Sequence, residues 1–301
     1  MDYTNAYIEG FSNLEFEKLI VRLGLTINLD REIIVFYHYN LKLIYYPNSN
    51  ILRIKNSLHK YFNSIDGDSS CNNMSDFTLS DARCVAEILS VVYIDRDISD
   101  FKISAVFEFG LNVKAPIAPF SIIERYMAYQ VHNSINEFTT CEPRKGKPIM
   151  RKSYLSDYDL KFYDKGKASE LSGLNILRYE LVFKQIRKLR TVLGEREVTL
   201  ETLLEDYNWK KLSDYMIEVY RNIKKSPLLL NNTLDVHQIL NIHIFGNKTL
   251  KQDLARHLSK SEFNALMKES KGIYTEISES EDDLHNIIER RIHEKLDILS
   301  R

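Results

Sequence analysis

The run Lys161 to Phe183, KFYDKGKASELSGLNILRYELVF, sets Tyr163 between Lys161 and Lys165, then adds a glycine-containing basic turn and the triplet Arg178-Tyr179-Glu180. These residue types suit one chemistry. Phosphoryl transfer to a protein needs a nucleophilic oxygen, positive charge for the phosphate and an acid to hold a metal. A plainer role fits the same tyrosine: 18 tyrosines are spread through the chain, and one on a strand is commonly a packing residue with a wet hydroxyl.

Alternation along residues 103–113 puts Ser104, Val106, Glu108, Gly110 and Asn112 on one face of a strand and Phe107, Phe109 and Leu111 on the other. In residues 177–183, Arg178, Glu180 and Val182 share a face in the same way. If these strands are neighbours, Glu108 and Glu180 converge on one hard cation, which prefers oxygen ligands; otherwise both carboxylates are solvated or pair with Arg178. His59, in NSLHKYF beside Lys60, is a third candidate ligand or a phosphate contact, with a structural role as the alternative. The eight histidines form no HxH, HxxxH or HExxH, so no helical zinc site is supported. Neither GxxxxGK[ST], GxGxxG nor GxSxG occurs, so nucleotide hydrolysis and dinucleotide binding have no support, and the serine-hydrolase motif is missing too.

Several elements must position these residues. Leu14, Phe16, Leu19, Ile20 and Leu23 have helical spacing before Gly24, and residues 31–58 alternate as a meander of three short strands. Thr78 or Ser80 caps a helix carrying Val85, Ile88, Leu89 and Val92 on one face. The piece DFKISAVFEFGLNVKAP predicts one central strand, residues 121–135 a helix, and residues 142–153 a basic connecting loop. Strands follow at 158–163 and 176–183. Beyond Lys184 nearly every segment has helical spacing, and TLKQDLARHLSKSEFNALMKE suggests two short helices about Ser259. The expected fold is α+β: a mainly antiparallel sheet domain over 1–190, then a helical region over 191–301.

Composition sets the outer bounds. At 301 residues and 44% hydrophobic content the chain has material for one large core or two ordinary ones. No run of 18 apolar residues exists and the start MDYTNAYIEGF has no signal-peptide pattern, so a cytoplasmic protein without membrane contact is expected. Three cysteines without a CxxC argue against a disulfide framework and a zinc ribbon. The net charge of -1 conceals a basic middle, since residues 144–190 hold thirteen Lys/Arg and five Asp/Glu. Such a stretch suits phosphate binding or a solvated face.

The collinear motifs NSLHKYFN (56–63), NMSDFTLSD (73–81), ISAVFEFGLNV (103–113), LKFYDKGKASEL (160–171) and LRYELVFKQIRKL (177–189) resemble a known family. It is that of the phage and plasmid replication initiators of the filamentous-phage gene II/X type, especially the members in Bacteroidetes mobile elements. The resemblance covers residues 30 to 225. It implies a relative of the HUH nicking enzymes, which cut one DNA strand at an origin, keep the 5′ end as a phosphotyrosine and later rejoin it. The Y-x-K position falls on Tyr163 with Lys165, and the carboxylate of the R-[FY]-E strand on Glu180.

Three departures from the pattern are plain. Lys102-Ile103-Ser104 stands where an Arg-Ile-Asp strand is expected, which leaves Glu108 as the substitute acid. DGDSSCNN stands for a glycine-rich G-[HN]-N, and there is no His-hydrophobic-His pair.

On this footing Mg²⁺ or Mn²⁺ is expected on Glu180, Glu108 and His59, with Tyr163 and Lys165 catalytic. The single-stranded or origin DNA partner is expected to meet Lys60, Arg144, Lys145, Lys147, Arg151, Lys152, Lys161, Lys167, Arg178, Lys184, Arg187 and Lys188. A non-catalytic, sequence-specific DNA-binding protein is the alternative. An RNA-binding or structural protein is a third class, drawing on the aromatic-rich basic sheet. Three uses of the helical tail stay open: holding a dimer, holding a host helicase, or burying the back of the sheet.

Overall fold

The alternating residues after position 31 form β2 (Ile34–His38), β3 (Leu41–Tyr46) and β4 (Ile51–Asn56), paired antiparallel in turn. Two strands outside the expected meander complete this first sheet. β1 (Thr4–Glu9) pairs with β4, and the short β5 (Lys102–Ile103) pairs with β1. These elements belong to a computed structural model that describes residues 3–27, 31–65, 67, 73–104, 106–131, 134–141, 149–169, 173–227, 229, 234–280 and 283–301.

α1 (Asn13–Arg22) starts at Ser12, whose hydroxyl accepts from the Glu15 amide while its own amide donates to the Glu15 carboxylate at 2.8 Å. This reciprocal cap satisfies two orphan donors of the first turn. The helix then stacks Phe16 on Tyr45 with ring centroids 4.2 Å apart. α2 (Leu58–Ile65) and α3 (Leu79–Glu87) join the same core, and Thr78 with Asp81 repeats the capping device. A π-helical turn, Ile88–Ile94, continues α3 and leaves Val92 exposed rather than on the buried face.

The second sheet holds β6 (Phe107–Lys114), β12 (Ile176–Phe183), β11 (Tyr158–Asp164), β10 (Met150–Tyr154) and β9 (Thr139–Cys141), in that spatial order and antiparallel throughout. The single central strand expected over 100–116 is corrected here. It divides into β5 in one sheet and β6 at the edge of the other, and Val106 turns the chain between them at φ 70, a rare conformation for a β-branched residue. A bridge between Tyr3 and Glu108 then joins the two sheets.

The helix expected over 121–135 is corrected as well. Only α4 (Pro119–Ile123) is helical; β7 (Tyr126–Val131) and β8 (Ser134–Glu137) form a hairpin, and β13 (Ile223–Lys225) pairs with β7 to make a third sheet. Strand structure therefore does not end at residue 184. α5 (Lys165–Ala168) is a single turn after β11, and α6 (Ile186–Leu193) stops at Gly194, whose φ of 72 suits a residue without a side chain.

α7 (Leu200–Leu203), α8 (Asp206–Arg221), α9 (Val236–Gly246), α10 (Lys248–His257), α11 (Lys260–Ser278) and α12 (Leu284–Leu299) complete the chain. Ser259 caps α11, as the predicted break at that residue requires. The protein is thus α+β, with antiparallel sheets and a helix-rich C-terminal part. The change of character near residue 190 is one of secondary structure, since α8 and α12 pack into the core of the second sheet. Trp209 meets Phe109 edge to face at 5.3 Å, and the Tyr179 hydroxyl donates to the Met216 carbonyl at 3.1 Å. No described helix is long and apolar enough to cross a membrane.

Two buried histidines make folding pH-dependent. Burial lowers His59 to about 3, with the nearby Lys165 charge adding to it, and burial lowers His285 to about 3. The His285 Nε2 lies 2.9 Å from the Ser226 carbonyl, while its Nδ1 is buried with no hydrogen-bond partner among the described residues.

The sign follows from both folded values lying below the ordinary 6.5. The unfolded chain takes up protons that the folded chain refuses, so this stability is present above about pH 6.5 and is lost as pH falls toward 3. Each histidine contributes about 1.4 kcal/mol per pH unit within that window. Urea unfolding is expected to show a loss of roughly 2 kcal/mol between about pH 6 and about pH 5. A flat profile there means that these rings are not held neutral.

Candidate active site

Register decides which side chains meet. Residues directly opposite one another on paired strands leave the same face, and in the second sheet Asn112, Arg178, Tyr163 and Met150 form one such row. Gly110, Glu180, Lys161 and Lys152 form the next row, and Glu108, Val182 and Asp159 the one after it. The other face carries Phe109, Leu111, Tyr179, Leu181, Leu160 and Phe162, all buried toward α8. From Phe107 onward the face assignment made from alternation is met, and it puts Glu108, Lys161, Tyr163, Arg178 and Glu180 on one side while Tyr179 lies on the other.

Within that face the Tyr163 hydroxyl donates to Glu180 Oε1 at 2.9 Å, and Arg178 Nε donates to the same oxygen at 3.1 Å. Lys161 Nζ lies 2.8 Å from Glu108 Oε1 and 3.6 Å from Glu180 Oε2. Arg178 also donates to Asn112 Oδ1 at 3.0 Å, while the Asn112 amide donates to the carbonyls of Asn73 and Met74. Gly110 makes room for this network: a Cβ there would sit 2.8 Å from Glu180 Cγ and 2.9 Å from Arg178 Nη2.

Burial drives the electrostatics, and the neighbouring charges then choose the sign. Desolvation acts to raise Glu180, but Arg178 and Lys161 outweigh it and hold the carboxyl below the usual range. Glu108 is raised, by burial and by the charge of Glu180. The Tyr163 phenol is pushed well above its ordinary value, by burial and then by Glu180 and Glu108. At rest Tyr163 is a neutral donor and Glu180 its ionised acceptor.

Lys165 follows β11 on the short turn α5, where the Asp164 side chain accepts from the Lys167 amide. Its ammonium donates to Asn73 Oδ1, and burial lowers its pKa against the pull of Glu180. Lys165, Lys161, Lys60, Tyr163, Glu108 and Glu180 all border one open cavity of about 550 Å³, which Tyr3, Asn40, Asn56, Ser57 and Asn73 help to line.

Gly166 lets the turn fit beneath the chain before β12, because a Cβ there would fall 2.1 Å from the Leu174 carbonyl oxygen. That neighbour is backbone and cannot swing away. Gly166→Ala is expected to destabilise by about 1–3 kcal/mol, the usual cost of overpacking, and to displace Lys165. Urea unfolding measures the first effect; an unchanged midpoint would mean that the turn is not packed against Leu174.

The predicted metal ligands do not assemble as a set. His59 is buried, with Nε2 3.0 Å from the Ser75 hydroxyl and its ring stacked on Phe77 at 4.9 Å, and it does not border the cavity. Glu108 and Glu180 do border it, but the Lys161 ammonium stands between them where a shared cation would go. Among the described residues no three His, Cys, Asp or Glu side chains are grouped to hold a metal. The residues as arranged do not fit a three-ligand Mg²⁺ or Mn²⁺ site. Their charge is met instead by Lys161.

The predicted DNA contacts divide. Lys60 and Lys161 border the cavity, Lys152 lies on the same sheet face with its ammonium 6.0 Å from the Tyr154 ring centroid, and Lys167 is exposed on α5. Arg144, Lys145 and Lys147 lie outside the described residues. Two assignments are corrected. Arg178 is 2% exposed and serves as the counter-ion of Glu180, and Arg151 points to the apolar side of β10, bonding the Tyr126 and Phe138 carbonyls. Lys184 pairs with Asp159, Arg187 with Asp157, and Lys188 lies over the rings of Tyr158 and Tyr215. Asn112, absent from the predicted site, is the residue that ties Arg178 to the chain at Asn73; its position on the Glu108 face was the available signal.

Neither a protein-family model nor a curated protein matches the sequence. Among solved structures, a rolling circle replication initiator protein from Geobacillus stearothermophilus superimposes on 77% of this chain and 88% of its own. The identity is 11% and the TM-score 0.40. A likeness of that degree carries no conclusion about fold or activity.

Proposed function

We propose that the chain is a rolling-circle replication initiator that nicks and rejoins single-stranded DNA at an origin through Tyr163. The five collinear motifs support this reading from the sequence. The observation that carries it is the Tyr163 hydroxyl, held 2.9 Å from the Glu180 carboxylate on the border of a cavity that Lys60, Lys161 and Lys165 also line. A phosphodiester entering the cavity meets cations on its non-bridging oxygens and a phenol beside a base.

In the step itself the Tyr163 oxygen attacks phosphorus, forming the phosphotyrosine ester as the bond to the 3′ oxygen breaks. The phenolic proton passes to Glu180. The 3′ oxygen departs with a proton from the Lys165 ammonium, and reversal of these transfers rejoins the strand. The ester keeps the energy of the broken bond, so no nucleotide cofactor is required, consistent with the missing phosphate-binding loop. A reaction that needs a divalent ion would call for a ligand set other than Glu108, Glu180 and His59 as they are arranged here.

A second reading, a non-catalytic DNA-binding protein, draws on one observation: the site's charges are already balanced internally, with Lys161 between two carboxylates and Tyr163 held as a neutral donor. The two readings part on incubation with labelled single-stranded oligonucleotides from the element's own origin, with Mn²⁺ or EDTA, followed by denaturing electrophoresis. A protein-bound band supports the initiator. Tight binding with no such band in either condition supports the second reading.

A further inference from the structure

The first sheet has two unlike faces. One carries Ala6, Ile8, Ile34, Phe36, Leu43, Leu52 and Ile54 into the core under α1. On the other, cross-strand pairing puts Tyr37 opposite Lys42 and Lys42 opposite Lys55, then Arg53 opposite Tyr7, with Tyr46 one row further along. Tyrosines thus meet cations over two rows, the second of which also holds Val35 and Ile44, and the row of Tyr46 adds Ile51 and Glu9. Tyr37 is 59% exposed, while Lys42, Arg53, Lys55, Tyr7 and Tyr46 are half-buried against one another.

These cations are not spent within the fold. Arg53 Cζ lies 5.8 Å from the Tyr46 ring centroid, and its buried Nε has no hydrogen-bond partner among the described residues. Lys42, Arg53 and Lys55 form no ion pair with a carboxylate of any described residue, unlike Lys102 at the far edge, which holds Glu9 and Glu197. Positive charge beside aromatic faces matches unpaired nucleotides, whose bases stack on rings while their phosphates meet the cations. A duplex hides its bases from such a surface.

The face also leads somewhere. Asn40, Asn56 and Ser57, at the near ends of β3 and β4, and Lys60 in the first turn of α2 line the Tyr163 cavity. The bridge between Tyr3 and Glu108 places the side chains of those two residues on one side. The open face of β1 therefore continues into the ionisable face of β6.

We propose that single-stranded DNA lies across this face, with bases on Tyr7, Tyr37 and Tyr46 and phosphates at Lys42, Arg53 and Lys55, and that the face leads the strand to Tyr163. The identity of the nucleic acid rests on the proposed function; the surface itself does not. The test is anisotropy of a fluorescent oligothymidylate with full-length Tyr163→Phe protein in EDTA, over a salt series. No cleavage enters this assay, so its failure and the failure of covalent chemistry are separate results.

Tyr37→Ala is expected to weaken binding at least about fivefold, and Tyr37→Phe, which keeps the ring, to stay within about twofold of Tyr37. Lys42→Gln with Lys55→Gln is expected to flatten the slope of log K against log salt by about 1.4, as loss of two phosphate contacts requires. A matching duplex is expected to bind more weakly and to ignore Tyr37→Ala. The proposal is overturned by unchanged affinity in Tyr37→Ala, by equal losses in Ala and Phe, or by a duplex that shares the tyrosine dependence. Tyr37 is exposed enough that its replacement leaves the fold intact, which the far-ultraviolet spectrum checks.

Discussion

Glu180→Ala is expected to cost roughly 3–5 kcal/mol of folding stability, because it strips a buried charge of its counter-ion. Arg178 is 2% exposed and donates to Glu180 at 3.1 Å. Removing the carboxylate leaves a guanidinium far from water, and the loss exceeds what the intact pair contributes. Replacing both partners, as in Arg178→Met with Glu180→Leu, is expected to recover most of that loss, since a well-packed apolar pair removes the desolvation cost along with the attraction. Urea unfolding of the single and double variants measures the coupling. A loss below about 1 kcal/mol in Glu180→Ala would place the pair in surface-like surroundings and contradict the burial described.

Tyr163→Phe is expected to separate activity from stability. It keeps the ring and removes only the hydroxyl that donates to Glu180, for which about 1 kcal/mol is the ordinary stability change. Covalent product is expected to fall by at least about a thousandfold, because the nucleophilic oxygen is gone. Binding of single-stranded DNA is expected to persist, the cations of the cavity being untouched. Parallel loss of binding and covalent product would assign Tyr163 to DNA contact rather than chemistry.

The candidate site was partly legible in the sequence for a simple reason: a strand has period two. Alternation alone placed Glu108 with Asn112, and Arg178 with Glu180, each on the polar face of its strand. Register was not legible, so the seat of Lys161 between Glu108 and Glu180 could not be read from the sequence. Residues 142–153 read as a loop, so the strand β10 and the turn of Arg151 toward the core, opposite Phe162, were not legible either. For His59 the sequence offers a ligand, a phosphate contact or a structural role, and the stacking on Phe77 and the bond to Ser75 that place it depend on tertiary contacts.

Elsewhere the misreadings have a common physical origin. Tyr126-Met127-Ala128-Tyr129 suits helical spacing as well as a strand, and what decides is pairing with Ile223–Lys225, nearly a hundred residues away. β1 begins beside the chain start with mixed polar residues, and its identity comes from β4 and β5 on either side. Helices with strong caps fared better. Thr78 with Asp81 and Ser259 with Glu262 mark their own starts in the sequence, and both are used as caps.

The central claim is tested most directly by mapping the covalent product. Wild-type protein is incubated with single-stranded origin DNA and Mn²⁺, the adduct is digested with nuclease and trypsin, and the nucleotide-bearing peptide is identified by mass spectrometry. The account predicts one modified peptide, Phe162–Lys165, with a 5′-phosphonucleotide on Tyr163. An adduct on any other tyrosine, or no adduct while the DNA stays bound, would contradict it.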